Sequence, residues 1–431
     1  MAENTREIVL DTLLEMERSH TYSHQLLRAV LDKYDYLEAQ EKRFIKRLTE
    51  GCIERRIELD YCIEQYSTVP VRRMKPLIRC LLRMGAYQIL YMDSVPDSAA
   101  CNEAVKLAGK RNFVNLKGFV NGVLRALAVH KTAIPMPDDK REPVRYLSIR
   151  YSIPEWLIEM WMADYGTEDT KRILEGLMAV HPVSIRFSAS VEPAQRQRFI
   201  EEWESHRVIV KKSPYLDYAY ILENVEGVTT LAGYDQGVFT VQDVSSMLCV
   251  EAADIREGDY CMDVCAAPGG KTMLAAQKCK SVLARDVSQR KVEQIQENVS
   301  RMGLVEKVDT EVWDAVVTDE RCLESADVLF LDVPCSGLGV MGKKRDIKYN
   351  VTPEGIESLI NLQRQIIKSC WRYVKPGGTL VYSTCTINRR ENEEMCRFIE
   401  TEFPLKMDQS RQLMPGFDET DGFFYAVFKR I

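Results

Sequence analysis

The chain has 431 residues, of which 45% are hydrophobic and 28% charged, with a formal net charge of −6. This is ordinary for a globular protein, and at roughly 100–200 residues per domain it implies two to four domains. No apolar run approaches the roughly 20 residues of a membrane span, and the polar opening MAENTREIV is unlike a secretory signal, so a cytoplasmic, membrane-free protein is expected.

Thirteen cysteines are scattered along the chain with no CxxC spacing, which argues against a disulfide framework and against a common zinc site. No metal is expected, and most of these cysteines read as small buried apolar residues. The five histidines are His20, His24, His130, His181 and His206. Chemistry in the second half must therefore proceed without a histidine of its own. Residues 1–135 hold 21 Lys+Arg against 17 Asp+Glu, and the remainder 37 against 47. A mildly basic front on an acidic body permits a local nucleic-acid footprint.

Residues 1–130 are expected to be all-helical. Phe44, Leu48 and Cys52 recur every four residues, as do Ile53, Ile57 and Tyr61. Between them lie Lys42, Arg43, Lys46, Arg47, Arg55 and Arg56, either a solvated helix face or a basic surface. Pro70 and Pro76 bracket a junction, and Gly85, Pro96 and Gly109 are read as later breaks. The proline-containing stretch 131–143 is the first expected domain boundary. Residues 144–240 are expected to form a small α+β module, with strands at Val183–Phe187, Val208–Val210 and Tyr218–Leu222 and a helix at Glu192–His206. From 241 to 431, strand candidates Tyr260–Val264, Ser281–Asp286, Val308–Trp313, Val328–Leu331, Thr379–Ser383 and Phe423–Lys429 alternate with helices, notably Arg290–Met302 and Glu354–Val374. That alternation predicts an α/β domain, a parallel sheet covered by helices.

The strongest chemical signal follows the first of these strands: Asp263, Val264, Cys265, Ala266, Ala267, Pro268, Gly269, Gly270, Lys271 and Thr272. A strand end, a glycine-containing turn and a helix start let a nucleotide-like cofactor approach the backbone. A P-loop would need glycine where Cys265 stands, and Pro268 interrupts the loop. Asp286, 23 residues beyond Asp263, is placed to accept hydrogen bonds from ribose hydroxyls. Asp314 is a weaker candidate for the adenine edge. Two thiols follow at successive strand ends, in Asp332-Val-Pro-Cys335-Ser-Gly-Leu-Gly339 and in Tyr-Ser-Thr-Cys385-Thr. A thiol nucleophile explains the pairing. Attack on carbon-6 of a cytosine activates carbon-5 for alkylation, splitting a hard step in two. Asp332 could then neutralise charge near ring nitrogen-3. The residues alone do not order the two cysteines.

Together, CAAPGGKT, DVPCSGLG and STCT resemble the Fmu/Sun family of RNA 5-methylcytosine methyltransferases. Val95–Val105 and Phe119–Arg125 look like the helical NusB-like domain fused to one bacterial group, which acts on small-subunit (16S) rRNA. The resemblance implies a seven-stranded Rossmann-like class I methyltransferase sheet with S-adenosyl-L-methionine as cofactor. It implies cofactor contacts at Cys265, Ala266, Ala267, Pro268, Gly269, Gly270, Lys271, Asp286, Asp314 and Asp332. It also makes Cys385 the nucleophile and Cys335 the residue that assists release, and it implies that the module before the catalytic domain grips RNA. The stretch Val340-Met-Gly-Lys-Lys-Arg345-Asp-Ile-Lys348 departs from the family, with Arg345 in place of proline and Gly342 in place of arginine. This loop is expected to meet the RNA. Small-subunit rRNA is the expected partner of a monomeric enzyme. The competing readings are the same chemistry on transfer RNA or DNA, and a catalytically silent scaffold.

Overall fold

In the computed structural model the described residues are 4–19, 23–179, 182–225 and 227–431. His20, His181 and the first three residues of the polar opening lie outside them. The chain divides into two compact units, Met1–Leu174 with Lys343–Asn350, and Glu175–Gly342 with Val351–Ile431.

The first unit is helical, as expected: Thr5–Ser19, Ser23–Lys33, Ala39–Glu54, Arg56–Glu64, Pro76–Tyr91, Asp97–Lys110 and Lys117–His130. A capping box between Glu38 and Glu41 starts the third helix, and Ile45, Leu48 and Cys52 form its buried stripe. The backbone breaks at Arg55 (φ −101°, ψ 17°), which rotates the next helix. Leu59, Cys62 and Ile63 therefore face the core, not the expected Ile57 and Tyr61. Gly85 is not a break. It lies inside the helix Pro76–Tyr91, where an added Cβ would sit 2.5 Å from Leu124. Glycine here permits close helix packing.

The stretch 131–143 is not where the compact units divide. The helices Pro143–Tyr151 and Glu155–Tyr165 belong to the first unit. Ser152, at φ 55°, ends the former, and its Oγ accepts the Ile57 amide (2.7 Å). Leu147, Ile149, Leu157 and Trp161 are buried.

The segment Lys343–Asn350, expected to meet RNA, also belongs to this unit. Arg345 pairs with Glu50 and Glu54, both at 3.0 Å. Lys348 is buried and donates to the Glu54 carbonyl (2.7 Å), and Asp346 accepts the Ser23 amide (2.7 Å). The two cations are committed to partners within the chain. Arg345 bridges two carboxylates of the third helix.

The second unit carries two sheets. The smaller has order β2-β3-β1-β4, from β1 (Val183–Phe187), β2 (Ile209–Lys212), β3 (Ala219–Glu223) and β4 (Phe239–Val241). In its core Phe187 stacks on Trp203 and Phe239 meets Trp203 edge to face, with Trp203 supplied by the helix Pro193–Ser205. The larger has seven strands in order β10-β11-β9-β8-β5-β6-β7. These are β5 (Tyr260–Asp263), β6 (Ser281–Asp286), β7 (Val308–Val312), β8 (Ala326–Asp332), β9 (Val374–Thr384), β10 (Leu405–Leu413) and β11 (Phe423–Arg430). The pairs β5/β6, β5/β8, β6/β7 and β8/β9 are parallel, and β11 runs antiparallel to both neighbours. The sheet matches the expected methyltransferase topology. Strands β4 and β10 were not expected. Strand β4 has three residues, and β10 is a polar edge strand (LKMDQSRQL) without apolar alternation.

Candidate active site

Strand β5 lies inside the larger sheet, between β6 and β8. All three parallel strands therefore deliver their carboxyl ends to one region, where ligands of open α/β sheets bind. The loop from Val264 to Gly269 leaves β5 and turns into the helix Gly270–Ala276. Gly269 has φ +100°, a conformation that a side chain would strain. Asp263 is buried, and its Oδ2 accepts the Thr272 hydroxyl (2.7 Å). Its Oδ1 has no partner, and burial pushes the carboxyl up to about 7.

Asp286 ends β6 as expected. Its oxygens accept the Ala267 amide (3.1 Å), the Val287 amide (2.8 Å) and the Lys291 ammonium (2.9 Å). A carboxylate has about four acceptor positions, so one remains for a ligand hydroxyl. Val287, which sequence reasoning missed, is 57% exposed beside it. Asp314 is exposed and caps its own turn by accepting the Val316 amide (3.1 Å).

Asp332 ends β8 in register with Ser383 of β9. Its Oδ1 accepts the Ser383 hydroxyl (2.8 Å), and its Oδ2 pairs with the Lys271 ammonium (2.6 Å). Lys271 is buried, its ammonium 5.0 Å from the centre of the Phe423 ring. Burial alone would lower its pKa, but the charge and hydrogen bond of Asp332, with smaller contributions from Cys249 and Asp263, together outweigh burial and raise it. Lys271 is thus committed to Asp332 although it sits in the expected cofactor loop.

The same register brings the two thiols together. Cys335 lies three residues past the end of β8 and Cys385 one past β9, and their sulfurs are 3.3 Å apart. The hydrogen bond to Cys385 and burial both raise the Cys335 thiol well above its ordinary value. Either sulfur can donate in this contact, so the geometry alone does not say which thiol is deprotonated. Cys265 is also raised, by burial, and is no thiolate candidate.

A buried polar network fixes both thiol-bearing loops. Glu391 accepts the Ser336 amide (2.9 Å) and hydroxyl (2.5 Å), Gln363 Nε2 (3.0 Å) and Asn388 Nδ2 (2.9 Å). Ser336 also meets the Thr386 hydroxyl (2.7 Å), and Gly339 donates to the Cys385 carbonyl (3.1 Å). Sequence reasoning missed Ser336, Gln363, Asn388 and Glu391. Glu391 is one acid in the run Arg389-Arg390-Glu391-Asn392-Glu393-Glu394, and nothing in the run marks it as the buried one.

This arrangement can bind a nucleotide-like ligand at the ends of β5 and β6 and present a thiolate and a carboxylate beside it. A family profile described as 16S rRNA methyltransferase RsmB/F matches residues 250–429, and the NusB family profile matches residues 3–129. The chain is similar to the probable ribosomal RNA small subunit methyltransferase B of Bacillus subtilis (33% identity, 99% of each chain). It is also similar to the ribosomal RNA small subunit methyltransferase B of Cronobacter sakazakii (30% identity, 90% of each). Among solved structures, PH0851 shares the fold over 99% of each chain (24% identity, TM-score 0.81). NSun6 from Pyrococcus horikoshii with SFG matches 64% of this chain and 98% of that one (21% identity, TM-score 0.57).

Proposed function

Because the chain belongs to the RsmB/F family of 16S rRNA methyltransferases with an N-terminal NusB domain, we propose that it methylates carbon-5 of a cytosine in small-subunit rRNA through a covalent cysteine adduct. The family is S-adenosylmethionine-dependent, and when bound the cofactor supplies an electrophilic methyl group. The residues at the ends of β5 and β6 suit it. The glycine turn leaves room for a ligand, Asp286 retains one acceptor position for a ribose hydroxyl, and Val287 offers an apolar face to an adenine. The orphan Oδ1 of Asp263 is a further acceptor at the end of β5.

The observation that carries the reading is the 3.3 Å approach of Cys335 and Cys385 beside the Lys271–Asp332 pair. In the proposed cycle the Cys385 thiolate adds to carbon-6, and the ring π electrons move to carbon-5. The negative charge developing at ring nitrogen-3 is neutralised by a proton drawn from solvent and delivered through Asp332, which takes it back on product release, and the Lys271 ammonium stabilises the carboxylate left behind. The new carbon–methyl bond would form at carbon-5 as the bond between the methyl group and the cofactor sulfur breaks, leaving S-adenosylhomocysteine. Cys335, having lost its own proton to solvent, takes the carbon-5 proton. The carbon-5–carbon-6 double bond then re-forms, the carbon–sulfur bond breaks, and Cys385 is again a thiolate.

The test is bisulfite sequencing of small-subunit rRNA incubated with the protein and S-adenosylmethionine, beside Cys385→Ala. One newly protected cytosine, absent with the variant, is expected. Protection of transfer RNA instead would change the substrate. No protection of either RNA would leave a silent scaffold.

A further inference from the structure

Within the helical unit, a cleft of about 490 Å³ opens between the helices around Arg56, Arg79 and Arg83 and the segment that ends in Tyr349 and Asn350. Its charges are unevenly satisfied. Arg83 pairs with Asp60 (2.7 Å) and Glu17 (2.8 Å), and Arg79 pairs with Glu17 (2.6 Å). Both of those carboxylates are thereby committed. Arg56 and Arg72 also line the cleft, and among the described residues neither has a carboxylate within hydrogen-bond reach. Arg56 is half-buried, with its guanidinium 3.6 Å from the centre of the Tyr349 ring, and Arg72 is exposed. A guanidinium partly removed from water without a counter-charge is an unfavourable arrangement that an anion would relieve.

Two further features narrow the anion. Leu13 and Ile53 give the cleft an apolar wall beside the stacked Arg56–Tyr349 pair, which suits a flat ring. Asp346 also lines the cleft and is 8% exposed. Its Oδ2 accepts the Ser23 amide, but its Oδ1 is buried and, among the described residues, without a partner. A buried orphan acceptor calls for a donor, such as a ribose hydroxyl or an exocyclic amine. A plain phosphate or carboxylate lacks the ring and the donor, and an apolar ligand leaves the arginines unpaired.

We propose that this cleft is a binding site for one phosphorylated ribonucleotide, with Arg56 and Arg72 on its phosphate and the Asp346 Oδ1 on a hydroxyl or amine. The nucleotide comes either from an RNA strand or from the free pool. The site is separate from the proposed methyl transfer, and its test requires no turnover.

The experiment uses the full chain saturated with S-adenosylhomocysteine, which removes competition at the cofactor cradle. Binding of a fluorescent ten-nucleotide oligouridylate and of uridine monophosphate is measured for the parent, Arg56→Gln and Arg72→Gln. Each variant is expected to weaken binding by about tenfold, as for a lost charged hydrogen bond. For the strand, each should also reduce the salt slope by about 0.7 for every phosphate that is no longer neutralised. Loss with the oligonucleotide alone assigns the site to a strand, and equal loss with the monophosphate assigns it to the free nucleotide. Parent-like binding of both probes by both variants, or no binding of either probe by the parent, overturns the proposal. Arg72 is exposed, so Arg72→Gln keeps the test valid even where Arg56→Gln unfolds.

Discussion

Glu391 accepts hydrogen bonds from both the backbone amide and the side-chain hydroxyl of Ser336, 55 residues earlier in the chain. It thereby fixes the residue next to Cys335 from the far side of the strand end that carries Cys385. Four donors converge on its two oxygens. In Glu391→Gln one oxygen becomes an NH2 group facing donors, and about two hydrogen bonds are lost inside the core. At roughly 1–3 kcal/mol per unsatisfied buried group, urea unfolding should show a loss of about 2–5 kcal/mol. If Glu391 positions the thiols, adduct formation should slow more than cofactor binding weakens. Equal changes in both would reduce Glu391 to a general support of the fold.

The two sulfurs make a separable prediction. Cys385→Ala should abolish methyl transfer and form no RNA–protein adduct on a denaturing gel. Cys335→Ala keeps the nucleophile but loses the acceptor of the carbon-5 proton, so the adduct should accumulate. The reverse pattern would exchange the roles of the two cysteines.

The parts of this site that were legible in the sequence are those fixed by local chain geometry. The CAAPGGKT turn, Asp286 at the end of β6, and the thiols past β8 and β9 all depend on where strands stop, and strand ends show in the apolar runs before them. Partnership across the sheet is not local. Lys271 read as a cofactor contact, yet it lies against Asp332, 61 residues away, because β5 and β8 are neighbours. Glu391 was illegible for the same reason. Helix faces were misread where a break intervened, as at Arg55, and Gly85 read as a break because glycine marks close packing as well as turns. The short β4 and the polar edge strand β10 gave no periodic signal.

The Lys271–Asp332 pair is tight and mostly buried, with 9% and 31% of the side chains exposed. Lys271→Met leaves the carboxylate beside a methionine, without its cation. Breaking a fully buried pair costs about 3–5 kcal/mol. Partial exposure of Asp332 should bring the loss towards the lower end of that range. Methyl transfer should fall by about two orders of magnitude or more, as when a preorganised charge is removed from a reaction centre. Lys271→Met combined with Asp332→Asn should recover stability but not activity. Recovered activity in the double variant would show that the pair serves packing alone.

Asp263 sets a pH dependence whose sign is opposite to that of a salt-bridged acid. Burial raises its carboxyl to about 7 in the folded chain, against about 3.9 in the unfolded chain. Between those values the folded state binds more protons than the unfolded one, so this residue lowers stability as pH rises from about 4 to about 7. The loss is complete above the folded value, where both states are ionised. In Asp263→Asn the side-chain oxygen can still accept the Thr272 hydroxyl, and no proton is bound or lost. Other groups contribute their own slopes, so the quantity to measure is the difference in unfolding free energy between parent and variant, taken at several pH values from 4 to 8. The variant should gain on the parent steadily up to about pH 7 and then hold its advantage. Near pH 7 half of the parent's Asp263 carboxyls are protonated, so if the orphan Oδ1 serves as a ligand acceptor, cofactor affinity should rise around pH 7, where the folded carboxyl ionises, in the parent and stay flat in the variant. A stability difference that does not change with pH would place the Asp263 carboxyl at its ordinary value despite its burial.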